Sequence, residues 1–221
     1  MSYYQPQPTK NRTALWVIAT VVTVAVLAGG AYFVGRGEGG AATPSGSAAP
    51  AGPSTAMISW SIVGDEPVPA SPGHGPRDTE GGLAKGFSHD TLGAVLAAVN
   101  IGFRLASEAG PQVYESTARE QCFGDVNSEI TQIRNSFSNA PPGDTKPSEI
   151  WYRVASGDPA GDLVLMSIGL KTPQSVARGG YAGLDMTMQW VDGDWKMQVP
   201  LARPSIIPSV SGYTLLGRPN V

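Results

Sequence analysis

Apolar side chains recur along this chain in three rhythms, and each change of rhythm marks where a new part begins. From Ala14 to Val34, ALWVIATVVTVAVLAGGAYFV, they run for 21 residues without a charge. At ~1.5 Å per helical residue such a run just covers the ~30 Å hydrocarbon core of a bilayer. It predicts a transmembrane helix, with Trp16, Val17, Ile18, Val21, Val22, Leu27, Tyr32 and Phe33 as its membrane anchor. A cleaved secretory signal has a shorter apolar run that closes on a small-x-small site. This one closes on Tyr32, Phe33 and Val34, which suit a membrane interface better.

The second rhythm has the spacing of three and four. Over Ser88–Glu108, Asp90 stands as N-cap before Leu92, Val95, Leu96, Val99 and Phe103, while Gly93, Ala94, Ala97 and Ala98 form an adjoining face that another element can approach closely. That combination predicts a central helix. Gly110 ends it, and Pro111 opens a second helix with Val113, Tyr114 and Thr117 facing inward. A third, from about Val126 to Asn139, carries Val126, Ile130, Ile133 and Phe137 along one face behind the cap Asp125, and stops at Pro141 and Pro142.

The third rhythm is the period of two. Met57–Val63 predicts a short strand anchored by Trp60. The turn-rich stretch that follows it, DEPVPASPGHGPRDTEGGLAKGF, predicts a surface loop, either ordered or mobile, that packs partly through Val68 and Phe87. Ile150–Ala155 and Asp162–Leu170 predict strands, the latter so continuously apolar that it belongs in the middle of a sheet. Tyr181–Val191 and Asp194–Val199 predict a hairpin about Asp192-Gly193. In that register Trp190 meets Trp195, Met188 meets Met197 and Met186 meets Val199, with Thr187, Gln189, Lys196 and Gln198 on the wet face. Tyr213–Leu216 closes the list as a short edge strand.

These elements divide the chain into a tail (1–13), a transmembrane helix (14–34), a linker (35–55) and one α+β domain (56–221). The linker's Gly37–Thr55 part is nearly all Gly, Ala, Pro and Ser and buries too little to order itself. Lys10 and Arg12 before the apolar run, against Arg36 after it, place the N-terminus in the cytoplasm and the domain outside. Taking Lys10, Arg12, Arg36 and Glu38 from the 15 basic and 18 acidic side chains leaves the domain with a net charge of −5. Nucleic-acid binding needs a basic patch, so a nucleic-acid partner is not expected.

The helix-then-sheet order, the small-residue helix GAVLAAVNIGF and the final WVDGDWKM resemble the nuclear-transport-factor-like cone fold, with about three helices packed on one face of a curved antiparallel sheet. Tail, single membrane helix, spacer and exported cone together resemble the single-pass assembly components of type IV secretion and conjugation machines of actinobacterial mobile elements. GFSHDTLGAVLAAVNIGFR is similar to a segment of such proteins. The resemblance implies a non-enzymatic scaffold in the cell membrane, whose partners are sister copies in a homo-oligomer and other envelope proteins. The alternative is a tethered cone domain that binds or transforms an apolar small molecule.

Candidate chemistry is sparse. The single cysteine, Cys122, reads as a small buried residue, and His74 and His89 read as loop side chains, so no metal site and no cofactor are expected. No catalytic residues are assigned. Asp185 with Tyr181, or Tyr152 with Asp162, are the pairs an isomerase-like site would use, but Asp185 shares the parity of Thr187 and Gln189 and so points away from the apolar face. Trp151, Trp190 and Trp195 are candidate ligand-pocket residues, although aromatics on a buried sheet face are more often simply core.

Overall fold

A computed structural model describes residues 57–136 and 145–220. The tail, the membrane helix with its eight anchor residues, the linker and the predicted helix end at 137–139 all lie outside the described residues. Among the described residues no helix is long and apolar enough to cross a membrane.

The described part of the chain opens with a hairpin, β1 (Ser59–Val63) and β2 (Glu66–Ala70), in which Val63 faces Glu66 across Gly64-Asp65. β2 replaces the first part of the predicted loop. Its prolines are tolerated because of their parity. With a two-residue turn the bonded positions are Glu66, Val68 and Ala70, so Pro67 and Pro69 turn their missing donors away from β1. The Pro69 carbonyl, facing the same way, accepts from Asn100 Nδ2 at 2.7 Å. The rest of the stretch is held by backbone bonds such as Arg77 N–H to Lys85 O, with Val68 and Phe87 buried as predicted.

α1 (Thr91–Arg104) begins where the Asp90 carboxylate accepts from the Gly93 N–H at 2.8 Å. It ends four residues earlier than predicted, giving way to a 3-10 turn at Ser107–Ala109. Val95, Leu96 and Val99 are buried, and so are Gly93, Ala94, Ala97 and Ala98, so the helix is enclosed on nearly every side. α2 (Pro111–Gln121) starts at its proline, and α3 (Val126–Asn135) starts with the Asp125 carboxylate accepting from Ser128 N–H. Between them β3 (Cys122–Gly124) was not legible at three residues.

The sheet adds β4 (Glu149–Gly157), β5 (Leu163–Lys171), β6 (Tyr181–Val191), β7 (Asp194–Val199), β8 (Ser205–Ile207) and β9 (Thr214–Gly217), in the order β3-β7-β6-β5-β4-β9 with β8 also on β6. β5 is central, as its apolar run predicts. A bulge between Val154 and Ser156 bends β4, the usual means of curving a sheet. The sheet is antiparallel except at one edge. There α2 delivers β3 alongside β7 in the same sense, which corrects the purely antiparallel expectation. A fourth helix, α4 (Pro173–Ala177), is capped reciprocally by Thr172 and Ser175, a motif too short for periodicity to reveal.

The β6–β7 hairpin has its predicted register, with Asp192 and Gly193 both at positive φ (55° and 80°) as a type I′ turn requires. One predicted pair does not form. Val199 leaves β6 and stays with Gly124 of β3, so Met186 has no partner there, though both side chains are buried. α1 lies against β5, β6 and β7, and the core between them holds Met166, Ile168, Met186, Met188, Trp195 and Met197.

Candidate functional site

Past Arg104 the chain leaves α1, and at the same level β6 changes partner. β7 pairs with Met188–Val191 and β8 with Tyr181–Gly183, which leaves Leu184–Thr187 bonded to β5 alone. A hollow opens here. One cavity of about 340 Å³ is walled by Phe103, Leu105 and Ala106 from the end of α1, by Leu170, Ala182 and Leu184 from the sheet, and by Glu66 from β2. A second, wider one of about 610 Å³ adjoins it through Leu105, Leu184 and Pro204 and reaches α3 at Glu129 and Ile133.

Each cavity has a buried carboxylate. Glu66 and Glu129 are both 6% exposed. Glu129 is satisfied, accepting from the Leu201 N–H at 3.0 Å, which offsets part of the upward push that burial gives its pKa. Glu66 has no donor among the described residues. Burial first, and the neighbouring charge of Glu108 second, push its carboxyl from 4.5 up to about 7, against a smaller opposing pull from Lys146 and a small addition from Asp65. A carboxylate poised near neutrality in a largely apolar hollow is the usual signature of a binding or catalytic position, or of a buried structural acid. Here no structural partner is seen among the described residues.

The predicted pocket tryptophans do not converge on this hollow. Trp195 is core, with its indole N–H donated to the Ser88 carbonyl at 2.9 Å. Trp190 meets it edge-on at 5.3 Å, and the His89 ring stacks on Trp190 at 4.2 Å and 3°. Trp151 lies on the opposite sheet face, where it pairs with Gly169 and donates to Glu149 at 3.0 Å. Strict alternation separates them: Trp151, Gly169 and Gly183 share one face, Trp190 and Trp195 the other.

The nominated acid and tyrosine pairs do not converge either. Asp185 is exposed on the wet face, as its parity requires, and accepts from Ser167 Oγ. Tyr181 is four residues away along an extended strand, about 13 Å. Tyr152 sits opposite Ile168, and Asp162 lies six residues back along the chain, roughly 20 Å away. His74 is a loop residue but not a free one, for its Nδ1 lies 2.9 Å from Asp90 Oδ2. Cys122 is buried, and burial, with Glu129 adding to it, raises its thiol to about 12, out of reach of nucleophilic use. Among the described residues no three His, Cys, Asp or Glu side chains cluster as a metal site would need.

Sequence reasoning missed Glu66 and Glu129. Glu129 was hidden as an ordinary first-turn acid of α3. Glu66 was hidden in a proline-rich stretch read as loop, and the one available signal was the Gly64-Asp65 turn dipeptide between two segments of strand length.

A family model described as "Domain of unknown function (DUF8175)" matches residues 34–215. No curated protein and no solved structure matches the chain.

Proposed function

The chain belongs to that family of domains of unknown function, and from its geometry we propose that it is a membrane-anchored, extracytoplasmic binding domain that holds a small apolar molecule in the hollow of a nuclear-transport-factor-like cone. The observation that carries this reading is the cavity of about 340 Å³ beneath the end of α1, apolar on most of its wall and holding the buried Glu66. Small-molecule sites span about 300–1,000 Å³, mostly apolar with a few polar groups. The bulged sheet, the packing of α1 on β5, β6 and β7 and the hairpin at Asp192-Gly193 support the cone likeness. The charge-free run Ala14–Val34 supports the anchor, and the flanking charges support an outside location. The reading is non-enzymatic: neither Glu66 nor Glu108, which lines the same cavity, is assigned a catalytic role.

The test uses the full-length chain in lipid nanodiscs with ¹³C-labelled leucine methyls, titrated with 1-hexanol. Saturable shifts confined to Leu105, Leu170 and Leu184 are the expected result. Shifts spread evenly over surface methyls, or none, remove the proposal.

The assembly-component reading is the second. It draws on β9, which is bonded to β4 and has its other edge unpaired among the described residues, a place where a strand from another protein can add. Deleting the coding gene from a strain carrying the mobile element and measuring DNA transfer tests it; unchanged transfer removes it.

A further inference from the structure

We propose that the ligand of this hollow is an organic ammonium ion, an apolar body bearing a primary amine that is held against the Glu66 carboxylate. The inference rests on the cavity reading above and adds the chemical class.

Three observations carry it. The first is the unmet acceptor. Other large polar groups in the interior are served: Asn100 Oδ1 accepts from Arg104 at 2.7 Å, Glu129 accepts from Leu201, and Gln121 exchanges bonds with the backbone of Ala84. Glu66, equally buried and on the cavity wall, is met by no donor among the described residues. A carboxylate on a cavity wall with no protein donor among the described residues is open to a ligand N–H.

The second is the sign of the charge around it. Glu108, whose carboxylate accepts from the Ser107 hydroxyl at 2.9 Å, lines the same cavity, and among the described residues no Lys, Arg or His lines the wall. The cation whose field reaches Glu66 is Lys146, and its ammonium lies 3.9 Å from Asp65. A carboxylate or phosphate ligand would enter against two negative charges, whereas an ammonium ion would meet them.

The third is the rest of the wall. Leu105, Leu170, Ala182 and Leu184 offer an apolar bed, and Phe103 adds a ring whose face attracts cations. Thr172 and Gln174 add polar groups to the same wall.

The preference should follow the ionisation of Glu66. At pH 8 its carboxylate is charged and pairs with the ammonium. At pH 5 it is neutral, with Glu108, Asp65 and Lys146 left to set the local field, and the discrimination fades.

The experiment compares hexylammonium, 1-hexanol and hexanoate on the full-length chain in nanodiscs, read at the same leucine methyls at pH 8 and pH 5. Hexylammonium is expected to bind about tenfold more tightly than hexanol at pH 8, as a charge-assisted hydrogen bond allows, and to lose most of that margin at pH 5. Hexanoate is expected to bind weakest. Glu66→Gln should bring the amine and alcohol to within about twofold at both pH values, and the pH comparison on the unaltered chain gives the same information if that variant does not fold. Equal binding of amine and alcohol at pH 8, or a preference for hexanoate, overturns the amine inference and leaves the cavity reading standing. No response from any of the three at these methyls overturns both.

Discussion

Asn100 is fully buried on α1 with its side chain engaged at both ends: its amide N–H groups go to Pro69 O and Leu96 O, and its oxygen takes the Arg104 guanidinium. Arg104, 2% exposed, completes its bonds on the carbonyls of Gly82 and Asn100, and burial lowers its pKa to about 10. Replacing Asn100 by Leu strands Pro69 O and a charged N–H together, so chemical denaturation should show a loss of roughly 2–3 kcal/mol. Thr117 is the opposite case. Its hydroxyl is buried with no partner among the described residues, so Thr117→Val, nearly isosteric, should raise stability by about 1 kcal/mol in the same measurement. None of this was legible in the sequence. Spacing told which faces of α1 and α2 are buried, but the carbonyls that serve Asn100 and Arg104 come from Pro69 and Gly82, in a stretch whose composition reads only as loop.

At the scale of elements, what was legible follows from length and repetition. α1, α2 and α3 announce themselves by caps and periodic apolar positions, and the β6–β7 hairpin by Asp192-Gly193 and its facing apolar pairs. β3, β8 and α4, at three to five residues, are too short to show a period. β2 hides behind prolines that only its register makes acceptable. The start of α1 gives a test in which two rules disagree. Gly93→Ala should stabilise a helix by about 1 kcal/mol on propensity alone. Yet a Cβ at Gly93 would run into the Ser88 carbonyl, which is fixed in place by the Trp195 indole N–H. Backbone sterics should win, and urea denaturation of Gly93→Ala should show a net loss of about 2 kcal/mol or more.

At the scale of the whole molecule, Glu66 links the hollow to stability. Its folded-state pKa, about 7, lies above the unfolded value of 4.5, so between those values the folded protein holds a proton that the unfolded chain has released. Stability from this group is therefore full below about pH 4.5 and falls as pH rises toward 7. The melting temperature should drop between pH 5 and pH 8, and Glu66→Gln should flatten that slope. The same carboxylate was not legible as a site because a hollow is made by elements distant in sequence: the end of α1, the start of β6, and β2. The anchor makes its own prediction. The full-length protein should stay in the carbonate-washed membrane fraction, and a mature form in the medium lacking residues 1–34 would contradict it. The most direct test of the central claim is the hexanol titration repeated on full-length Ala182→Phe, which places a ring inside the cavity of about 340 Å³ while leaving Glu66 in place. The account predicts a folded variant whose Leu105, Leu170 and Leu184 methyls no longer respond. An unchanged saturable response in that variant would contradict it.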